Sequence, residues 1–325
     1  NKFLNQILID KYFIELEKSF HNDTSIKEEY LFNIIDKWLE YDDYKNKLIY
    51  PIMRTLYNFR DFKGLSNYIK IVKNNSELPK WLDCDVDHYS ALLEIQFHKK
   101  LNKGKLLLSK CIKNIINENG NEFLSVKSRI FTTFGNHFSN DKKSKDYINQ
   151  SIDIKKQLSD KPGLARSYGS LARLLFSEEP TSLDTLDANK KWLMINKENN
   201  DTFGTIMSRN FLGKIYFNVY KKNQARNDDL KNCKEQYNQN IKLLKNKLDQ
   251  GSQIQIFTSF ADLMEIAKFE KDEITFLDLS SKLFKLINDF EKIKNKFFID
   301  IFKKAFSSKF KNTIYSKQNI KEILG

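Results

Sequence analysis

Apolar residues recur three and four positions apart along most of the chain and are interrupted by short polar breaks, so the pattern predicts helices joined by tight turns. Phe3, Ile7, Ile9, Phe13, Ile14 and Leu16 form a first stripe. After the break HNDTS, residues 26–41 form a second, with Asp23, Thr24 and Ser25 as candidate N-caps. Residues 45–59 and 65–72 make a further pair that turns at Asp61-Phe62-Lys63-Gly64. The polar stretch NNSELPK at 74–80 is the clearest linker and places a soft boundary: N-terminal hairpins over 1–78, a repeat region over 79–289 and a distinct tail over 290–325.

The repeat region is written in a two-helix unit. A shift of 41 positions lays Ile152 on Leu193, Ile154 on Ile195, Asp160 on Asp201, Gly163 on Gly204, Leu171 on Leu212, Ala172 on Gly213 and Phe176 on Phe217. Such a repeat predicts a solenoid, because one hairpin cannot bury its own apolar face and must stack on a neighbour. A shorter signature runs through five units: an apolar residue, a small one, any residue, then two large ones. Its small residues are Ser90, Gly135, Ala172, Gly213 and Ala261, spaced 45, 37, 41 and 48 apart. Close packing accounts for it, since a small residue in the first helix lets the second approach while large neighbours fill the seam. Glycine inside a helix costs ~1 kcal/mol relative to alanine, so Gly135 and Gly213 at matching places imply a steric demand. Second helices are expected over 144–158, 183–197, 229–248 and 273–288. Asp160, Asp201 and Asp249 follow three of them, where Asp suits an N-cap. The expected fold is all-α, an α-solenoid forming a right-handed superhelix of about seven hairpins.

Segments such as DYINQSIDIKKQLSDKPGLARSYGSLARLLF resemble tetratricopeptide repeats of the slightly long kind found in bacterial signalling proteins and kinesin light chains. The likeness is closest over 146–248 and extends from Tyr89 to Asn288; the proline that usually ends the second helix is missing, and the repeat lengths are unequal. The resemblance implies a concave face, lined by the first helices, that grips peptides or partner helices. Counting by sevens along each first helix, away from the packing signature, places Arg129, Asn136, Arg166, Arg173, Phe176, Asn210, Lys214, Phe217 and Gln255 on that face, with Asp262 beside Gln255. Amides can bond an extended backbone, and Arg and Lys can hold carboxylates, so the expected partner is an acidic peptide or protein segment. The chain then serves as the sensor or adaptor part of a larger cytoplasmic protein of regulation or defence. A merely solvated helix face is the plain alternative.

Composition narrows this picture. With 40% hydrophobic residues, 30% charged, 10 Gly and 4 Pro, the chain is too apolar for disorder and too poor in turn formers for an all-β fold. A formal charge of +13 attracts acidic peptides, nucleic acid or anionic lipid, although lysine is also the ordinary solubilising residue. Between Glu291 and Gly325 nine lysines face three acids, and Phe298, Phe302, Phe306 and Phe310 recur every fourth residue. That is a basic amphipathic helix, expected to cap the open end of the solenoid. Together with KKLNKGK at 99–105 and DKKSK at 141–145, it leaves sequence-blind nucleic-acid binding as the alternative function.

Chemistry for catalysis is hard to find. Glycine-rich phosphate loops, H-E-x-x-H and G-x-S-x-G are all missing, and His21, His88, His98 and His137 are dispersed. Arg129 and His137 are the nearest approach to the Arg-then-His spacing of a helical ribonuclease, the further alternative, but eight positions put them on neighbouring rather than identical faces. The segment 83–88, with Glu94 beyond it, imitates a calcium loop, yet His88 stands where the turn needs glycine. Acids at a helix start explain it more simply. Cys84, Cys111 and Cys233 are far apart, which fits a reducing, cytoplasmic setting, and no apolar run approaches the ~18 residues of a membrane span. No catalytic residue, cofactor or metal is expected.

Overall fold

The computed structural model describes residues 45–58, 61–75, 77–224, 226–245 and 250–291. Among these residues the fold is all-α, with twelve α-helices and no strand. They are α1 (Lys45–Asn58), α2 (Phe62–Asn75), α3 (Lys80–Gln96), α4 (Leu101–Ile115), α5 (Asn121–His137), α6 (Ser144–Gln157), α7 (Lys161–Glu178), α8 (Leu183–Glu198), α9 (Thr202–Lys222), α10 (Asn227–Lys242), α11 (Gln250–Glu270) and α12 (Glu273–Glu291). The two N-terminal stripes, Asp249 and the basic C-terminal helix lie outside the described residues.

The chain divides into two compact units, Asn1–Leu174 and Leu175–Gly325. In the first, α1 packs on α2, α3 on α4 and α5 on α6, while α3 also meets α1 and α5. In the second, α9 packs on α8, α10 and α11, and α11 on α12. Hairpin stacks on neighbouring hairpin in each unit, the solenoid-like arrangement that the repeat predicts. The stretch at 74–80 turns out to be a connection inside one core. Ile49, Met53, Leu65 and Val72 before it share a cluster with Leu82, Val86 and Leu92 after it.

The turns between helices follow a rule. Ser159, Asn200 and Lys271 each end a helix in the left-handed region, at φ 54°, 53° and 60°, and an aspartate follows immediately. That aspartate caps the next helix. Asp160 Oδ1 accepts from the Gly163 N–H at 2.9 Å, Asp201 Oδ1 from Gly204 at 2.8 Å and Asp272 Oδ1 from Thr275 at 3.0 Å. Asp61 caps α2 through Gly64 in the same way, at 2.8 Å. The turn read at 61–64 is therefore a helix start of the same design as those in the repeat region.

The small-residue signature marks close helix approach. A Cβ on Gly135 would stand 2.3 Å from Ile148 Cγ1 of α6, and one on Gly213 would stand 2.5 Å from Tyr237 Cζ of α10. In the α3/α4 hairpin the register shifts by one: Ala91, not Ser90, is fully buried, and its carbonyl would lie 3.1 Å from a Cβ on Gly104. The two glycines differ in what could give way. At Gly135 an isoleucine side chain can rotate and the Ser144 carbonyl, 3.2 Å away, need move only slightly, whereas the Tyr237 ring is rigid and 1% exposed. Gly213→Ala is expected to lower stability by about 1–3 kcal/mol through overpacking, outweighing the ~1 kcal/mol gained in helix propensity. Urea melts should rank it below Gly135→Ala; equal midpoints would mean that α10 yields as easily as Ile148.

Candidate functional site

The first unit contains a group of buried charges around α3 and α5. Asp85 is completely buried in α3, the helix whose start was compared with a calcium loop. Arg129 of α5 answers it, with Nη2 2.8 Å from Asp85 Oδ2 and Nε 3.3 Å from Oδ1, and Nη1 donates to Ser125 Oγ at 2.7 Å. The guanidinium also lies over the Tyr50 ring, 4.2 Å from its centroid. His88, one turn after Asp85, places Nδ1 3.5 Å from Asp85 Oδ1 and Nε2 2.8 Å from Thr133 Oγ1. Burial alone would raise the Asp85 carboxyl, but Arg129 and His88 outweigh it and hold it below its ordinary value. Burial dominates at both histidines: His88 and His137 are pushed below the usual imidazole range and are neutral at physiological pH.

A second polar group lies between α5, α6 and α7. Lys155 of α6 is 3% exposed, and its Nζ donates to Thr132 Oγ1 at 2.9 Å and to Ser167 Oγ at 2.7 Å. Ser151 completes a hydroxyl cluster, 2.8 Å from Thr132 Oγ1 and 3.1 Å from Ser167 Oγ, and donates to the Ser128 carbonyl at 2.7 Å. Among the described residues, the hydrogen-bond partners of the amine are these uncharged hydroxyls. Burial first, and then repulsion from Arg166, lower its pKa from 10.5 to about 7, with Asp160 opposing only in part.

Both groups border one cavity of about 410 Å³, large enough for a small molecule or the anchoring end of a larger one. Among the described residues Arg54, Arg129, Lys155 and Arg166 supply its basic groups and Asp160 its one lining acid. Tyr50, Tyr57 and Tyr89 form an aromatic wall, with Tyr57 and Tyr89 edge to face at 5.9 Å. Gln96 donates to the Tyr57 hydroxyl at 2.6 Å, and Asn136, Thr133 and His137 add further donors and acceptors.

Three residues expected on a binding face thus meet at this cavity: Arg129, Asn136 and Arg166. Arg173 is exposed on α7 and does not border it. In the second unit Phe176 is half-buried, 5.0 Å from Phe211, and Lys214 Nζ is 3.9 Å from Asp262 Oδ2. Gln255 contributes its carbonyl to a bond from Asn210 Nδ2 at 2.8 Å. Asn210 and Phe217 are interior rather than groove residues. Asn210 Oδ1 also accepts from Asn240 at 2.9 Å and from Ser259 at 2.6 Å, and Phe217 is 7% exposed with its ring edge to face with Phe269. The reason is that α9 has α8, α10 and α11 against it, so little of its circumference is left open.

Several residues in or behind the cavity wall carry no obvious sequence mark. Asp85 and His88 are disguised as acids and histidine of a helix start. Lys155 had a legible signal: it continues the buried stripe of Ile148 and Ile152 at helical spacing, where a solvated lysine does not belong. Among the described residues no group of three or more His, Cys, Asp or Glu could hold a metal ion. No described helix is long and apolar enough to cross a membrane. Compared with known proteins, the chain matches no family model and no curated protein.

Proposed function

We propose that this chain is a tetratricopeptide-like binding protein for an acidic peptide or protein segment, and that the cavity of the first unit seats the segment's anionic group. The observation that carries this reading is the gathering of Arg54, Arg129, Lys155 and Arg166 around one cavity, with Asp160 the one acid among its described lining residues. Arg129 is held by Asp85 and orients the wall, while the exposed Arg166 stands free of that pair at the rim. The tyrosines and amides suit the peptide groups that flank an acidic side chain. The work is binding, and the signal passes to neighbouring parts of a larger cytoplasmic protein through a shift between conformations. The buried, unpaired cysteines Cys84, Cys111 and Cys233 fit such a reducing compartment. The nucleic-acid alternative has less behind it, because Lys103 is paired with Glu94 and Lys105 with Asp141.

Titration calorimetry with a short peptide ending in Glu-Glu tests the reading. Arg54→Gln with Arg166→Gln should weaken binding by about tenfold or more, since charge-assisted hydrogen bonds contribute upwards of ~1.4 kcal/mol. Affinity should also fall as salt is raised. Equal affinity for wild type and the double variant, in protein that keeps its helical circular dichroism, would remove the cavity from the account.

A further inference from the structure

The cavity contains one group that seating an anion does not require. An anion seat is served by fixed charges such as guanidinium groups, whereas Lys155 presents an amine bonded to Thr132 and Ser167 hydroxyls. Burial and the nearby Arg166 lower its pKa to about 7, so a substantial fraction is unprotonated at neutral pH. An unprotonated lysine amine is a nitrogen nucleophile, and in a cation-lined site it can add to the carbonyl carbon of an anionic ligand.

We propose that the first-unit cavity captures small carbonyl compounds bearing an anionic group, with Lys155 Nζ forming a reversible imine. The proposal rests on the anion seat described above, where Arg54 and Arg166 hold the ligand's charge and bring its carbonyl towards the amine. The Nζ lone pair forms the C–N bond, and the carbonyl oxygen takes up both amine protons and leaves as water. Nothing is oxidised or reduced, and hydrolysis reverses the step. Thr132, which borders the cavity, and Ser167 behind it supply hydroxyls in contact with Nζ that can relay those protons. Aromatic walls at Tyr50 and Tyr57 limit the volume to small ligands.

Glyoxylate, a small anionic aldehyde, serves as the probe on the full chain, with cyanoborohydride to reduce the imine to a stable carboxymethyl adduct. At pH 7 peptide mapping should find Lys155 modified at least about tenfold faster than other lysines, because an ordinary lysine near pKa 10.4 is almost wholly protonated there. Lys155→Arg should lose that adduct while keeping a cationic residue in the cavity, and acetaldehyde, which has no charge to be seated, should label Lys155 more slowly. Label spread over exposed lysines such as Lys142 and Lys143, with Lys155 unmodified, overturns the inference. The two readings of the cavity separate cleanly. Glu-Glu peptide binding without trapping at Lys155 overturns the imine alone, and selective trapping without peptide binding supports the imine while overturning the peptide partner.

Discussion

Replacing Arg129 by methionine is expected to destabilise the fold by about 3–5 kcal/mol, the cost of leaving a buried charge without its partner. The stranded group is Asp85, which is 0% exposed and has its two oxygens turned to the Arg129 Nη2 and Nε. His88 cannot take over, because it is buried, neutral and 3.5 Å away. Asp85→Leu alone should cost less, since Arg129 is 21% exposed and keeps Ser125 and the Tyr50 ring. The double variant Asp85→Leu with Arg129→Met should recover most of the loss, as apolar replacements of a buried pair commonly do. Acidity gives a further check. In the wild type the depressed Asp85 pKa contributes stability that is complete above the unfolded carboxyl value and is lost as pH falls through the folded one. In Arg129→Met burial governs Asp85, so the deficit against wild type should shrink on acidification as the carboxyl takes up a proton. Urea melts from pH 7 to 4 read all three variants; a single-variant loss no larger than that of an ordinary surface change would mean that water reaches Asp85.

Much of the architecture was legible because it repeats. The offset of 41 reappears in the structure as Ser159 and Asn200, both left-handed, followed by Asp160 and Asp201, both N-caps. Gly135 and Gly213 point to the sites of closest helix contact because few other reasons put glycine inside a helix. The cavity was less legible, since it is made from α1, α3, α5, α6 and the start of α7, and face counting on single helices does not say which faces converge. Heptad counting led to one cavity at Arg129, Asn136 and Arg166. At Asn210 and Phe217, where neighbouring helices surround α9, the same count leads into the core. Polar residue type was no safeguard. Asn210, Asn240 and Ser259 bond one another inside the second unit, and a sequence shows an asparagine without showing whether its amide is already satisfied.

The buried polar groups of the first unit fall into two kinds, and the difference bears on function. Asp85 and Arg129 neutralise each other, so they set the shape of the aromatic wall and leave little charge to spare. Among the described residues Lys155 has hydroxyl partners alone, which satisfy hydrogen bonds without offsetting a full charge. A site that needed only rigidity would be better served by an apolar side chain there, next to Ile148 and Ile152.

Lys155 should therefore make the protein more stable as pH rises from 7 towards 9.5. Its folded pKa of about 7 lies below the 10.5 of an unhindered lysine, so between those values the unfolded chain holds a proton that the folded chain has released. Unfolding then takes up a proton, and stability climbs by up to ~1.4 kcal/mol per pH unit, or roughly 3 kcal/mol across this window. Among the described residues His88 and His137 are depressed and burial raises the thiols of Cys84, Cys111 and Cys233, which takes them out of the window, whereas burial lowers Lys127 as well and adds to the rise. Lys155→Met removes this titrating amine, so the slope should be shallower in the variant and the difference between the two proteins should isolate Lys155 from Lys127. Denaturant midpoints at pH 7, 8 and 9 make the measurement, and parallel curves for wild type and variant would show that the amine stays charged beside its hydroxyls. The same linkage reaches ligand binding. An anion seated beside Lys155 favours its charged form, so binding draws in a proton and affinity declines as pH rises above 7, a trend that Lys155→Met should flatten along with the stability slope.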